Sequence, residues 1–232
     1  MSSPNKLKKF AEVETFGNVL QPKFDEVFHA DFKWKGYWRK SFFNNENPIV
    51  LELGCGKGDY TVGLARRFPQ KNFTGYDIKG ARIWRGARTA IEENLNNVCF
   101  VRTHIDFITS FYAENEVSEI WITFPDPQKE RARKRLTSAG FLNRYAKVLN
   151  TNGLIHLKTD SLMLHQYTVD ILKYNQQQIL IQTDDLYNSN IEVDDYVRNI
   201  QTFYETGYLK EGKKINYLVF KLEKNREFIQ LP

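Results

Sequence analysis

The stretch Leu51-Glu52-Leu53-Gly54-Cys55-Gly56-Lys57-Gly58-Asp59 limits what this chain can fold into more than any other. An apolar strand breaks there into a hairpin with glycine at alternate positions, and a helix is expected to follow from Asp59 to Phe68. Glycine admits backbone angles closed to other residues and leaves no Cβ between the chain and a ligand. The G-x-G-x-G spacing lacks the G-x-G-x-x-G pattern that seats a pyrophosphate on a helix N-terminus. Glu52 stands just before the loop, where a carboxylate repels phosphate and attracts a cation. Together these features point to S-adenosylmethionine rather than a dinucleotide as the ligand of Gly54, Gly56 and Gly58.

The surroundings extend that reading. Asn72 to Asp77 reads as a second strand ending on a carboxylate roughly 20 residues beyond the glycines, where an acid accepts from both hydroxyls of a ribose. The alternative is Asp77 as a cap for the helical segment beginning at Lys79. Val98 to Arg102, Ile120 to Phe124 and Leu154 to Lys158 supply further strands, with helices predicted at 81–95, 137–149 and 162–174. Strand and helix signals in alternation predict an α/β fold, a doubly wound, Rossmann-like sheet of mostly parallel strands. Ile215 to Leu222 alternates as the last strand. Asp106, beyond the third strand, lies where a carboxylate can accept from an adenine amine, or can cap the helix that continues through Phe111.

The fourth strand ends in Phe124-Pro125-Asp126-Pro127-Gln128-Lys129-Glu130-Arg131-Ala132-Arg133-Lys134-Arg135. Prolines on both sides hold Asp126 in an extended, stiff backbone. Five cations follow against the single acid Glu130. A charge run is ordinarily a solvated face; beside a stiffened carboxylate at the sheet's edge, this one reads as a grip for phosphates.

At 232 residues the chain has room for one large domain, here residues 49–232, preceded by a basic and aromatic extension over 1–48. That extension mixes lysines with Phe24, Phe28, Phe32, Trp34 and Trp38, which suits RNA or, alternatively, an arm packed on the main domain. Arg82, Arg85 and Arg88 on the predicted second helix leave the same choice between RNA contact and solvated face. A formal charge of +5 favours an anionic partner. No apolar run approaches the ~18 residues of a membrane span, and Met1 to Lys6 carries no signal-peptide core, so a cytoplasmic protein is expected. Cys55 and Cys99 offer neither a disulfide framework nor metal spacing, and no metal is expected.

These residues resemble the bacterial tRNA (guanine-N7)-methyltransferase family. The resemblance rests on Leu51 to Gly58, Gly75-Tyr76-Asp77, the proline-flanked Asp126 with its basic tail, Lys158-Thr159-Asp160 and Thr202-Phe203-Tyr204-Glu205, in the family's order. It implies a class I methyltransferase fold, a mostly parallel sheet whose last strand is antiparallel. It further implies that Glu52, Asp77, Asp106 and Asp126 line the S-adenosylmethionine site, and that Lys129, Arg133, Asp160, Thr202, Tyr204 and Glu205 meet the guanosine or its tRNA. The guanine at position 46 of the variable loop is the family's target. Two departures stand out: the family usually has Glu where Asp77 stands and Trp where Gln128 stands.

Guanine N7 has an in-plane lone pair and no proton, so methylation there needs alignment more than a base. Asp126, the expected catalytic residue, is then an orienting acceptor that also stabilises charge developing on the purine, in contact with cofactor, guanine or both. The rival readings are a methyltransferase for another RNA base or a small molecule, and a non-catalytic RNA-binding module on the same fold. Either a monomer or a homodimer fits the sequence.

Overall fold

The computed structural model describes residues 4–224 and 226–232, so the reading of Met1, Ser2 and Ser3 as lacking a signal-peptide core lies outside it. Among the described residues, eight strands form one sheet: β1 (Val19–Leu20), β2 (Ile49–Leu53), β3 (Asn72–Asp77), β4 (Val98–Arg102), β5 (Val117–Thr123), β6 (Leu149–Thr159), β7 (Ile179–Thr183) and β8 (Asn216–Phe220). The helices are α1 (Pro4–Glu14), α2 (Asp59–Arg67), α3 (Gly80–Glu92), α4 (Ile108–Phe111), α5 (Ala139–Val148), α6 (Leu162–Tyr174), α7 (Asp195–Asn199) and α8 (Phe203–Lys210).

The strands lie in the order β1-β4-β3-β2-β5-β6-β8-β7. All neighbours from β1 to β6 run parallel, whereas β8 is antiparallel to both β6 and β7. From β2 the chain steps outward through β3 and β4, then returns to place β5 on the other side of β2. This reversal opens a crevice at the carboxyl ends of β2 and β5, the position where open α/β sheets bind their ligands. All five residues of β2 are buried, as expected of a central parallel strand covered on both faces.

Two hydrophobic clusters cover the two faces. One gathers Leu51, Ile120, Leu142, Leu157 and Leu172, and the other Val50, Tyr60, Ile83, Phe100 and Trp121. The first also takes in Phe32, Trp38 and Phe43 from the N-terminal segment. Trp38 is fully buried, stacks on Tyr112 with ring centroids 5.3 Å apart, and donates its indole N–H to the Phe111 carbonyl at 2.7 Å.

Strand β6 begins earlier than the sequence suggests. Its pairing with β5 jumps from Val117–Leu149 to Glu119–Leu154, so residues 150–153, which separate the predicted helix 137–149 from the predicted strand at Leu154, sit in an irregularity of the strand.

Candidate active site

The glycine loop is held from beneath by β3. Gly54 and Cys55 donate their N–H groups to the Tyr76 carbonyl at 2.8 and 2.9 Å, and Gly56 donates to Asp77 Oδ2 at 3.0 Å. Asp77 Oδ1 accepts from Lys79 N at 2.7 Å, so this carboxylate ties the loop to the entry of α3. Gly58 and Gly56 need glycine for different reasons. At Gly58, φ is +74° and a Cβ would come within 2.7 Å of the Phe100 ring. At Gly56, φ is +56° and a Cβ would meet nothing within 4 Å, leaving open space over the crevice.

Glu52 is 3% exposed, and both its oxygens accept hydrogen bonds. Thr61 donates its backbone N–H at 2.7 Å and its hydroxyl to Oε2, while the Thr123 hydroxyl donates to Oε1 at 2.5 Å. The Thr123 bond joins β5 to β2 across the topological reversal. Among the described residues no cation pairs with Glu52, and burial pushes its pKa up to about 7 against the pull of the two threonines. A buried carboxylate without a counter-charge fits a cationic ligand.

One residue beyond Thr123, Phe124 adopts φ +49° and donates its N–H to the Lys158 carbonyl at 2.8 Å. Asp126 is exposed and accepts from Gln128 N at 3.0 Å, and Gln128 also has a positive φ, +45°. The basic run then divides. Lys129, Arg131, Arg133 and Lys134 are exposed, and none has an ion-pair partner among the described residues. Arg135, the last cation of the run expected to grip phosphates, does not join them. It is 7% exposed, donates to the carbonyls of Pro127 and Lys129 at 3.1 Å each, and stacks on Tyr167 at 4.3 Å. Its guanidinium therefore braces the loop from inside.

Helix α8 draws three parts of this edge together. The Phe203 N–H donates to Asp59 Oδ2 at 3.0 Å, and the Lys57 ammonium sits 3.3 Å over the Phe203 ring, which fastens the helix to the glycine loop. Tyr208 packs on Phe124 at 5.9 Å. Burial, and next the charge of Asp160, raise the pKa of its hydroxyl. Thr202 and Tyr204 stand at the start of this helix, Tyr204 being 40% exposed.

Glu205 is placed differently from Thr202 and Tyr204. It is fully buried, 2.7 Å from Lys158 Nζ, and accepts from the Tyr187 hydroxyl at 2.8 Å. It also closes a capping box with Thr202: Glu205 N donates to Thr202 Oγ1 at 3.1 Å, and Thr202 N donates to Glu205 Oε2 at 3.4 Å. The structure thus brings Glu52, Asp77, Asp126, Asp160 and Thr202 to one edge and sets Glu205 beneath it. Asp106 lies exposed on the β4 side of that edge, in a 3-10 turn over Ile105–Phe107, with Arg144 at 3.9 Å. It caps neither that turn nor α4.

The structure adds Lys57, Asp59, Thr61, Thr123 and Lys158 to the candidate site residues. The one available hint was that a carboxylate inside a buried strand requires donors, and threonines near both ends of the crevice could supply them. A groove of about 710 Å³ runs between α2, α3 and α7; it includes Gly58 but none of the predicted carboxylates.

Residues 46–218 match a family described as "Putative methyltransferase". A relative from Christiangramia forsetii named tRNA (guanine-N(7)-)-methyltransferase is 53% identical over 225 residues, covering 96% of this chain and 100% of its own. The chain belongs to the tRNA (guanine-N(7)-)-methyltransferase family. A second member, from Bacteroides fragilis and bearing the same name, is 49% identical over 96% of this chain and 88% of its own. Among solved structures, the 16S rRNA methyltransferase KamB superposes with a TM-score of 0.61 at 12% identity, covering 81% of this chain and 93% of its own. An antibiotic-related methyltransferase superposes with a TM-score of 0.57 at 18% identity, covering 78% and 90%. These two share the fold. As a member of the tRNA (guanine-N(7)-)-methyltransferase family with a class I sheet, the protein is a methyltransferase that uses S-adenosylmethionine.

Proposed function

We propose that this enzyme methylates N7 of a guanine in tRNA, at position 46 of the variable loop, in the cytoplasm. The observation that carries the reading is the Glu52–Thr123 hydrogen bond, which joins the two central strands one residue before the loop that bears Asp126 and its four exposed cations. That single edge combines a cation-seeking carboxylate with a phosphate-seeking surface.

S-adenosylmethionine, when bound, supplies a methyl group on a positively charged sulfur. Glu52 anchors the amino-acid end through its buried negative charge. Gly56 leaves room for close approach, and Asp77 and Asp106 accept from the ribose and the adenine amine. The exposed Lys129 and Arg133 take phosphates, because unpaired surface cations release counterions on binding RNA. Asp160, Thr202 and Tyr204 border the guanine.

N7 carries no proton, so no residue needs to remove one before attack. Asp126 accepts from the guanine N1 and N2 donors. This orients N7 toward the methyl carbon, and alignment of this kind can supply about 7–11 kcal/mol of a barrier. The same negative charge stabilises the purine as it becomes cationic. Glu205 acts from behind: by holding Lys158 and capping α8 it fixes the position of Thr202 and Tyr204.

The reading is tested by incubating the protein with unmodified bulk tRNA and methyl-labelled S-adenosylmethionine, then digesting to nucleosides. Label in 7-methylguanosine is expected. Label in another nucleoside would keep the cofactor and overturn the target.

A further inference from the structure

The aromatic residues of the N-terminal segment differ widely in exposure. Phe32, Trp38 and Phe43 are buried in the core, whereas Phe24 and Phe28 are 60% and 45% exposed. The two exposed rings stack on one another, with centroids 4.5 Å apart and planes 24° from parallel.

The turn that carries them is pinned. Val27 lies in the core between them, 1% exposed, and its carbonyl accepts from the Ser110 hydroxyl at 2.8 Å. The Glu26 carboxylate accepts from Lys23 N at 2.6 Å, closing the turn. The backbone is thus fixed while both rings remain outside, an arrangement that does not serve the core. Phe107 supports the pair from below, meeting Phe24 edge-on at 5.7 Å and Phe28 at 6.2 Å. Since Phe107 directly follows Asp106, the aromatic pair borders the β4 side of the crevice.

An enzyme that methylates a base within a folded RNA must reach an atom held among stacked neighbours. Extruding that base costs stacking energy, and the neighbours lose a partner. Exposed aromatic faces beside the cleft can return that partner, because every base presents a π-face. Asp25, Glu26 and Asp106 are exposed beside the rings, and Arg102 near this edge donates to Gln21 Oε1 and the Ile78 carbonyl, so the pair would hold a base by its face and not by charge.

We propose that Phe24 and Phe28 form a preformed stacking ledge for an unpaired base of the tRNA adjacent to the target guanine. This inference rests on tRNA being the substrate. Commitment to RNA follows from the small size of the patch, two rings beside the crevice, on a chain of net charge +5.

The test compares wild type, the Phe24→Ala/Phe28→Ala double variant and Phe28→Trp. It measures KM for unmodified tRNA, KM for S-adenosylmethionine, Tm, and the dependence of tRNA binding on salt. Both rings are exposed, so the alanine variant should fold with an unchanged Tm. Its KM for tRNA should rise about tenfold, the scale of one lost base–aromatic stack, with the slope of log K against log salt unchanged. Phe28→Trp should behave as wild type. A double variant with wild-type KM for tRNA would overturn the ledge while leaving the target assignment intact. An equal rise in KM for S-adenosylmethionine would overturn it too, showing that the pair supports the cofactor side. Absence of 7-methylguanosine from the wild-type reaction would overturn both readings together.

Discussion

Lys158 and Glu205, 47 residues apart in sequence, form an ion pair of 2.7 Å in which both side chains are fully buried. Lys158 comes from the end of β6 and Glu205 from the first turn of α8, so the pair locks the helix that presents Thr202 and Tyr204 onto the sheet. Lys158 Nζ also donates to the Val197 carbonyl at 2.8 Å, which holds α7 to the same point. Burial lowers the Lys158 pKa, and Glu205 opposes that shift.

Breaking this pair on one side should cost about 3–5 kcal/mol, because the remaining charge has no counterpart. Glu205→Ala and Lys158→Met should each lower the urea midpoint and reduce methylation. The Lys158→Met/Glu205→Leu double variant should recover much of the stability. If Glu205→Ala kept the wild-type midpoint and lost only activity, Glu205 would be a direct guanine contact and the locking role would be wrong.

Glu52 should make cofactor binding depend on pH. With its pKa at about 7 in the free protein, binding that needs the carboxylate ionised should be about tenfold weaker near pH 6 than near pH 8. Calorimetry in buffers of different ionisation enthalpy would register the proton released on binding. Affinity flat across this range would separate Glu52 from the cation.

The same group bears on stability with a defined sign. Its pKa rises from 4.5 to about 7 on folding, so the stability it contributes is fully present below 4.5 and is lost as pH climbs through 7. Glu52→Gln removes that loss. Without cofactor, the Tm of the variant relative to wild type should therefore increase across this window, by the equivalent of about 3 kcal/mol at its upper end. A constant difference would contradict the assignment.

The basic loop should separate into two behaviours. Replacing Arg133 and Lys134 with alanine should weaken tRNA binding and reduce the salt slope by about one to two, since each phosphate contact contributes about 0.7–0.9, while Tm holds. Arg135→Ala should instead lower Tm, because the carbonyls of Pro127 and Lys129 lose their donor. Filter binding over a salt series, paired with thermal unfolding, distinguishes them.

Gly56→Ala and Gly58→Ala should differ in kind. A methyl at Gly58 meets the Phe100 ring at 2.7 Å and should destabilise the fold, whereas one at Gly56 enters open space and carries only the left-handed backbone cost of about 1–2 kcal/mol. Gly56→Ala should therefore lose cofactor affinity out of proportion to its change in Tm. Equal losses of Tm in the two variants would remove the distinction.

Much of this architecture is legible locally. The glycine hairpin, the carboxylate ending β3 and the prolines around Asp126 declare themselves because turn residues and apolar period act over a few positions. The short strand β1 does not: two residues carry no periodicity, and only pairing with β4 makes them a strand. Arg135 is indistinguishable in sequence from its exposed neighbours, since burial of its guanidinium depends on Tyr167 in α6 and on how the loop folds back. The family resemblance implies that Glu205 meets the substrate; that its carboxylate turns inward becomes visible only once β6 places an ammonium beneath it. The threonines that hold Glu52 come from different elements, α2 and β5, and meet only across the reversal of strand order.

The proposed target of methyl transfer is N7 of one guanine in the tRNA variable loop. It is tested most directly with two transcripts identical except that the second carries 7-deazaguanosine at that position, so that a C–H group replaces N7. The first transcript should take up about one methyl per molecule and the second none. Equal methylation of both transcripts would contradict it.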